Sequence, residues 1–249
     1  MNIPVLAIRP RPPTVALVAL MAAVAVALAV AELGRAGGGG GGGGGTVIGQ
    51  TPRTPKPNCP TPSGDNVPAD RSCQAMGRVT GFQISADGRR NPYRLRRSGR
   101  IVAWGVDVSR PTKKEQRFFA EALSKSGPPS ARLSILKPKG EGRFKLVKQS
   151  PTMRLAPYLG NRPVFTLTDP LKVRKGQIVA LTTATWLSNL ADAGARDTDA
   201  WRASREDGQC VSEQDLLERS RPQQKVGGER NYSCAYEGAR ILYRAFLAS

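Results

Sequence analysis

From Arg78 to the end of the chain, apolar and polar residues alternate in many short stretches, and this pattern constrains the fold more than any other feature. A period of two residues is typical of β-strands that bury one face. The clearest examples are RIVAWGVDVS (100–109), KGQIVALTTATW (175–186) and GARILYRAFLA (238–248). In the first stretch the pattern places Ile101 on the outer face. The predicted inward face consists of Val102, Trp104, Val106 and Val108.

The turn sequences SADG, PKGEG, LGNRP and VRKG separate these strands, of which the sequence holds about eight. They predict a mainly β domain over residues 71–249, built as an antiparallel β-sandwich of jelly-roll type. Two short helical insertions interrupt the pattern. The first covers 109–127, with Ser109 as its cap and Phe118 and Phe119 on its apolar face. The second is CVSEQDLLERS, residues 210–220.

The N-terminal part contains TVALVALMAAVAVALAVA, residues 14–31, a run without any charged residue. As a helix it would span roughly 27 Å, close to the hydrocarbon thickness of about 30 Å, so residues 13–33 are predicted to cross the lipid bilayer as an anchor. Arg9 and Arg11 favour a cytoplasmic location for residues 1–12 and an extracytoplasmic one for the rest. The alternative is a signal peptide cleaved near Ala31, which would give a secreted protein.

Residues 34–70 have the composition of a linker. Nine consecutive glycines, 37–45, precede the Thr- and Pro-rich segment TPRTPKPNCPTPSGDNVP. Polyglycine behaves as a flexible coil and Pro-rich sequence is extended, and neither buries apolar surface. The sequence therefore predicts a disordered linker between the apolar segment and the β domain.

Four cysteines, Cys59, Cys73, Cys210 and Cys234, permit three pairings. An exported chain meets an oxidising compartment, so disulfides are expected. The pairing predicted from proximity along the chain is Cys59–Cys73 and Cys210–Cys234. Zinc would need closely spaced cysteine pairs, which the sequence lacks.

The chain contains no histidine, which removes several classes of catalytic site. Ser-His-Asp and Cys-His nucleophiles, the usual general acid and base, and His-ligated metals all need an imidazole. The sequence implies no cofactor and no metal. A carbohydrate-active hydrolase that uses only carboxylates remains as an alternative, because the fold sets the distance between two such groups.

The stretch NPYRLRRSGR, residues 91–100, raises the question of positive charge, because the chain has 38 Lys and Arg against 19 Asp and Glu. Basic residues at every second position are typical of a solvated outer strand face, and this interpretation applies to Arg94, Arg96, Arg240 and Arg244. The alternative is a surface that attracts anionic cell-wall or sugar polymers, or the head groups of the chain's own membrane. No nucleic-acid-binding signature is present, and export argues against genomic DNA as a partner.

The longest stretch without periodicity, residues 185–210, is predicted to be a loop. It holds two of the three tryptophans, and rings beside arginines suit the recognition of sugars. The candidate binding residues are Trp186, Trp201, Arg202 and Arg205. The alternative is that both tryptophans belong to the core.

By general layout, an apolar segment, a low-complexity tether and then a sandwich, the chain resembles uncharacterised exported jelly-roll-like proteins of high-GC Gram-positive bacteria. The likeness covers most of the chain but involves no catalytic or ligand motif. It implies a fold and a location, and nothing about a ligand. The expected function is that of a non-catalytic domain held outside the membrane, and the oligomeric state is left open.

Overall fold

The computed structural model describes residues 45–53, 55–59, 73–123, 127–191, 198–206, 210 and 224–249. The predicted apolar helix, most of the predicted linker and nearly all of the second helical insertion therefore lie outside the described residues. Within the described part, no helix is long and apolar enough to span a bilayer.

The described chain is mainly β, as the alternation predicts, and its antiparallel sheets include a curled half-barrel. The strands in chain order are β1 (Thr46–Ile48), β2 (Met76–Gly77), β3 (Thr80–Ala86), β4 (Arg89–Arg90), β5 (Gly99–Val106), β6 (Ser130–Pro138), β7 (Arg143–Gln149), β8 (Met153–Arg154), β9 (Val164–Val173), β10 (Ile178–Thr183), β11 (Trp186–Leu187), β12 (Leu190–Ala191), β13 (Ala200–Ala203), β14 (Glu229–Asn231), β15 (Cys234–Glu237), β16 (Arg240–Ile241) and β17 (Tyr243–Ala248). The helical elements are α1 (Lys113–Phe118), a π-helical turn (Phe119–Leu123) and a 3-10 turn (Ala156–Tyr158).

Two large sheets dominate the architecture. The four-stranded sheet has the order β1-β17-β5-β9, and the main path of the nine-stranded sheet is β14-β7-β6-β10-β3-β13-β15. In the larger sheet, β4 pairs with β3 and β8 with β6, while β11-β2 and β12-β16 form two separate ribbons. Since most neighbours in these sheets are distant in sequence, long-range pairing assembles the domain.

One apolar core receives side chains from both large sheets. Trp104 of β5 and Ala245 of β17 belong to the same buried cluster as Leu133 of β6. Tyr243 of β17 stacks on Tyr93 with ring centroids 4.1 Å apart. Its hydroxyl donates a hydrogen bond of 2.9 Å to the carbonyl oxygen of Val179 in β10, which joins the two sheets through a polar contact inside the core.

The predicted inward face of β5 is wrong at its beginning. Ile101 is fully buried and belongs to the core, whereas Val102 is only half-buried. The pairing of β5 with β9 shifts register between Ile101 and Ala103. A β-bulge of this kind resets the alternation, so residues before and after it follow different phases. From Trp104 onward the predicted inward residues belong to the core, but the residues between them, Gly105 and Asp107, are buried as well.

The first helical insertion is shorter than predicted and has a different cap. Thr112 caps α1, and its side chain and that of Glu115 form a reciprocal capping box. Ser109 instead donates a buried hydrogen bond to the carbonyl oxygen of Ser188. Phe119 is buried against Trp186, but Phe118 is half exposed, so only one of the two predicted apolar contacts exists.

The structure contains the two predicted disulfides, Cys59–Cys73 and Cys210–Cys234. It also shows folded residues inside the stretch predicted to be a linker. β1 adds to β17 in antiparallel register, from Thr46 opposite Leu247 to Ile48 opposite Ala245. A short strand at the sheet edge thus extends the compact unit to Gly45.

Arg240 is not on the solvated face where the alternation predicts it. It is 5% exposed, and its guanidinium lies 3.3 Å from the carboxylate of Asp87 and 3.8 Å from that of Asp199. It also donates hydrogen bonds to the carbonyl oxygen of Arg53 and to the hydroxyl of Thr51. This arrangement, called the Arg240 cluster below, turns the side chain inward because buried acids are available to receive it.

Candidate functional site

A cleft with a volume of about 1070 Å³ has a strongly cationic lining. Its walls come from both large sheets, with β5 and β9 on one side and β6 and β7 on the other. The cations that line it are Arg94, Arg100, Lys137, Lys148, Lys172, Arg174 and Lys175. We call it the cationic cleft.

The turn between β9 and β10, residues 174–177, holds one rim of the cleft in place. The backbone N–H of Gly176 donates to the carbonyl oxygen of Leu95, and the N–H of Leu95 donates in return to the carbonyl oxygen of Gln177. The N–H of Lys175 donates to the hydroxyl oxygen of Ser98 at 3.1 Å. These bonds fix the cations of the turn beside Arg94, which is far away in sequence.

Gly99, the first residue of β5, lines the cleft at a position that only glycine fits. A Cβ on Gly99 would overlap the carbonyl oxygen of Ala248, at the end of β17. The neighbouring Val173 is buried, so Lys172 and Arg174 on either side of it project away from the core. The alternation that predicts outward basic residues therefore holds here, and the outward side chains face a shared concave space.

No described carboxylate side chain lines the cationic cleft or forms an ion pair with its seven cations. Other basic residues do have acidic partners, such as Lys139 with Glu229 at 3.5 Å and Arg162 with Asp107 at 2.7 Å. A concave surface lined by charges of one sign focuses the electrostatic potential and concentrates counterions. The cleft is therefore the part of the described surface best suited to hold an anion.

Two smaller clefts extend the cationic surface beyond the main one. The second, of about 500 Å³, adds Arg90 and Arg96 and shares Arg94 and Lys175 with the cationic cleft. The third, of about 420 Å³, shares Arg94 and includes Arg202 together with Phe82 and Phe144. Arg94 thus lines all three, and the positive surface is broad.

Trp186, one of the four predicted binding residues, is 2% exposed. It packs on Phe119 with ring centroids 5.3 Å apart. A ring enclosed in this way presents no face to a sugar, so its position corresponds to the core alternative.

The other three predicted residues lie on β13 or just after it. Trp201 is 7% exposed and stacks on Tyr236 at 4.4 Å, and Arg205 reaches the Tyr236 hydroxyl at 3.5 Å. Arg202 donates to the carbonyl oxygen of Tyr232 and lines the third cleft, where Trp201 is absent. The structure therefore does not bring the four residues to one place. Residues 185–210 were predicted as a loop, but they contain β11, β12 and β13, and neighbours on a strand point to opposite faces.

The carboxylates of the described residues do not face each other across a cleft. A fourth cleft, of about 360 Å³, includes Asp107, the only described acid that lines any of these four clefts. Arg162 and Arg244 both bind Asp107, the latter at 2.5 Å. Asp199 is fully buried in the Arg240 cluster. Asp197 lies outside the described residues.

None of the seven cleft cations is among the binding residues that the sequence predicts. A signal was nevertheless present. The stretches that supply the cleft, 91–100, 131–139, 143–149 and 171–177, contain no acidic residue. Their proximity depends on pairing between distant strands, which composition does not reveal.

Comparison with family models, with curated proteins and with solved structures gives no match to this chain.

Proposed function

We propose that the folded part of this chain is a non-catalytic binding domain, held outside the membrane by its N-terminal segment, that binds polyanions of the cell envelope in the cationic cleft. The observation that carries the proposal is the set of seven cations around one concave space without a described acidic side chain among them. Phosphate, sulfate and carboxylate groups all match this lining, because arginine and lysine donate charge-assisted hydrogen bonds to each of them.

The proposed architecture is a β-sandwich of jelly-roll type, in which the two large sheets face each other across the common core. The hydrogen bond from Tyr243 to Val179 and the shared apolar cluster support it. In this arrangement the cleft lies where strand ends of the two sheets diverge.

The proposed location is extracytoplasmic, with residues 13–33 as the anchor. Two disulfides support an oxidising compartment, since they persist mainly in exported proteins. The uncharged run 14–31, after two arginines, supports an anchor with the domain outside.

A charge-reversal experiment tests the proposed binding. The full chain in neutral detergent is titrated with fluorescent polyphosphate at several salt concentrations, and so is the cleft variant Lys172→Glu/Lys175→Glu. Both lysines are exposed, so the fold should tolerate the change. We expect binding to weaken by about tenfold or more at a salt concentration near 0.1 M, because each variant position replaces an attraction with a repulsion within about one screening length.

The matched control is Lys113→Glu/Lys114→Glu, which makes the same change of net charge on exposed residues of α1. It should weaken binding by less than about twofold if the cleft is the site, because distant surface charges are screened. Equal losses in the two variants would show diffuse attraction by the net charge and would refute a binding site in the cleft.

A further inference from the structure

We infer that the polyanion bound by the cationic cleft is the layer of anionic phospholipid head groups of the membrane that holds the chain's own anchor. This inference rests on the proposed function, because it names the partner of the same cleft. It follows from where the tether enters the domain, from the length of the tether and from the chemistry of the lining.

The tether enters the domain beside the cleft. Arg97 donates a hydrogen bond of 2.8 Å from its guanidinium to the hydroxyl oxygen of Thr46, the first residue of β1, and a longer one of 3.4 Å to Ser249. Ser249 itself lines the cleft, as do Ser98 and Arg100. The chain thus comes in from its N-terminal side at the edge of the cationic surface.

The tether is also short. Only residues 34–45 separate the predicted bilayer segment from β1, and a glycine-rich coil of that length has an end-to-end distance of about 20 Å. Attachment over such a distance gives the cleft an effective concentration in the millimolar range at the bilayer surface, so each contact with a head group can be weak.

The lining suits a surface of many phosphates better than a sugar chain. The cationic cleft and the second cleft, of about 500 Å³, contain no aromatic ring, so they offer no surface on which a sugar ring could stack. Their cations continue from the cleft to Arg90 and Arg96, which makes the positive area wide. Basic residues near an anionic bilayer each strengthen binding by about fivefold.

Lysine reactivity tests the inference in the full chain. The protein is reconstituted in vesicles of phosphatidylcholine with or without phosphatidylglycerol, and lysines are acetylated with a water-soluble reagent and quantified by mass spectrometry. We expect anionic vesicles to lower the acetylation rate of Lys137, Lys148, Lys172 and Lys175 by about fivefold or more, and salt at about 0.5 M to restore it. Lys113 and Lys114, which are exposed on α1, are the internal control and should keep their rate.

Each other outcome overturns the inference in a recognisable way. If phosphatidylglycerol gives no protection but added polyphosphate protects the four cleft lysines in neutral vesicles, the membrane is not the partner and the proposed function stands. If neither protects them, both proposals fail. Equal protection of Lys113 and Lys114 would indicate adsorption without a docking site. If the chain does not float with neutral vesicles, it has no membrane anchor, and the inference fails because it depends on a tether to the bilayer.

Discussion

Replacing Arg240 with methionine should be among the most destabilising substitutions in the described part of the chain. The side chain is 6% exposed and lies between the carboxylates of Asp87 and Asp199, whose side chains are 6% and 0% exposed. Methionine keeps much of the aliphatic volume but removes the positive charge, and it leaves two acids buried together. Removing one partner of a buried ion pair costs about 3–5 kcal/mol, a large share of the roughly 5–15 kcal/mol by which a domain is stable.

The measurement is the free energy of unfolding by urea, with Arg244→Met as the control. Arg244 pairs with Asp107 as Arg240 pairs with its acids, but its side chain is 24% exposed and Asp107 keeps its second partner, Arg162. The control should therefore lose about 1 kcal/mol or less. Equal losses of unfolding free energy in the two variants would refute this prediction. They would mean that neither the deeper burial of Arg240 nor its lack of a substitute cation affects stability.

A second readout separates the uncompensated charge from lost packing. Adding Asp199→Asn to Arg240→Met should restore part of the stability, since the amide carries no charge, and the coupling energy between the two positions should be about 0.5–3 kcal/mol. A double variant whose loss is the sum of the single losses would mean that the charge of Asp199 contributes nothing to the loss in Arg240→Met.

The pH dependence gives a third readout with a definite sign. Burial raises the pKa of Asp87, but the hydrogen bond from the N–H of Arg53 and the charge of Arg240 together bring this pKa below its ordinary value. In the natural protein this carboxylate contributes stability at neutral pH, which is lost as the pH falls through the lowered pKa. Removing Arg240 takes away a cause that lowers the pKa of Asp87, so this pKa should rise in the variant, and protonation relieves the buried charge. The deficit of Arg240→Met should thus narrow as the pH falls from neutral towards the ordinary carboxyl range of about 4.

Two further predictions concern the packing of Phe119 and the two disulfides. Phe119→Ala should lower the free energy of unfolding by about 3–5 kcal/mol, because the ring is buried against Trp186. Phe118→Ala, on the exposed side, should change it by less than about 0.5 kcal/mol. Similar losses in the two variants would contradict the assigned burial. Peptide mapping without reduction should yield the linked peptides Cys59–Cys73 and Cys210–Cys234, and free thiols or a Cys73–Cys234 peptide would contradict this pairing. The variant Cys210→Ser/Cys234→Ser should lose about 3 kcal/mol of unfolding free energy, measured with urea.

The fold was predictable from the sequence at the level of local pattern. Alternation in 100–109 and 238–248 reports which backbone is extended, and from Tyr243 to Ala248 it also reports which face is buried, because side chains in a regular strand must alternate. The same rule misplaces Ile101, because a bulge changes the phase without leaving a mark in the composition. The wide sheet order could not be derived either, since it depends on pairing between distant strands.

The candidate site was less predictable, and the arginines show why. Arg94 and Arg240 both alternate with apolar neighbours, so the sequence pattern assigns both to a solvated strand face. Arg94 lines three clefts, whereas Arg240 is buried between two acids that come from different loops. What distinguishes them is the tertiary position of Asp87 and Asp199.

The pairing of β1 with β17 has a mechanical consequence for the proposed attachment through the N-terminal segment. A pull at Gly45 loads the three residue pairs of β1 with β17 from the Thr46 end, so these pairs separate one after another under low force. The load then passes to Thr51 and Arg53, which the buried guanidinium of Arg240 holds, and finally to Cys59. There the Cys59–Cys73 disulfide carries the tension directly to Cys73. The strand can therefore yield to a pull as a compliant element while the core behind it keeps its shape.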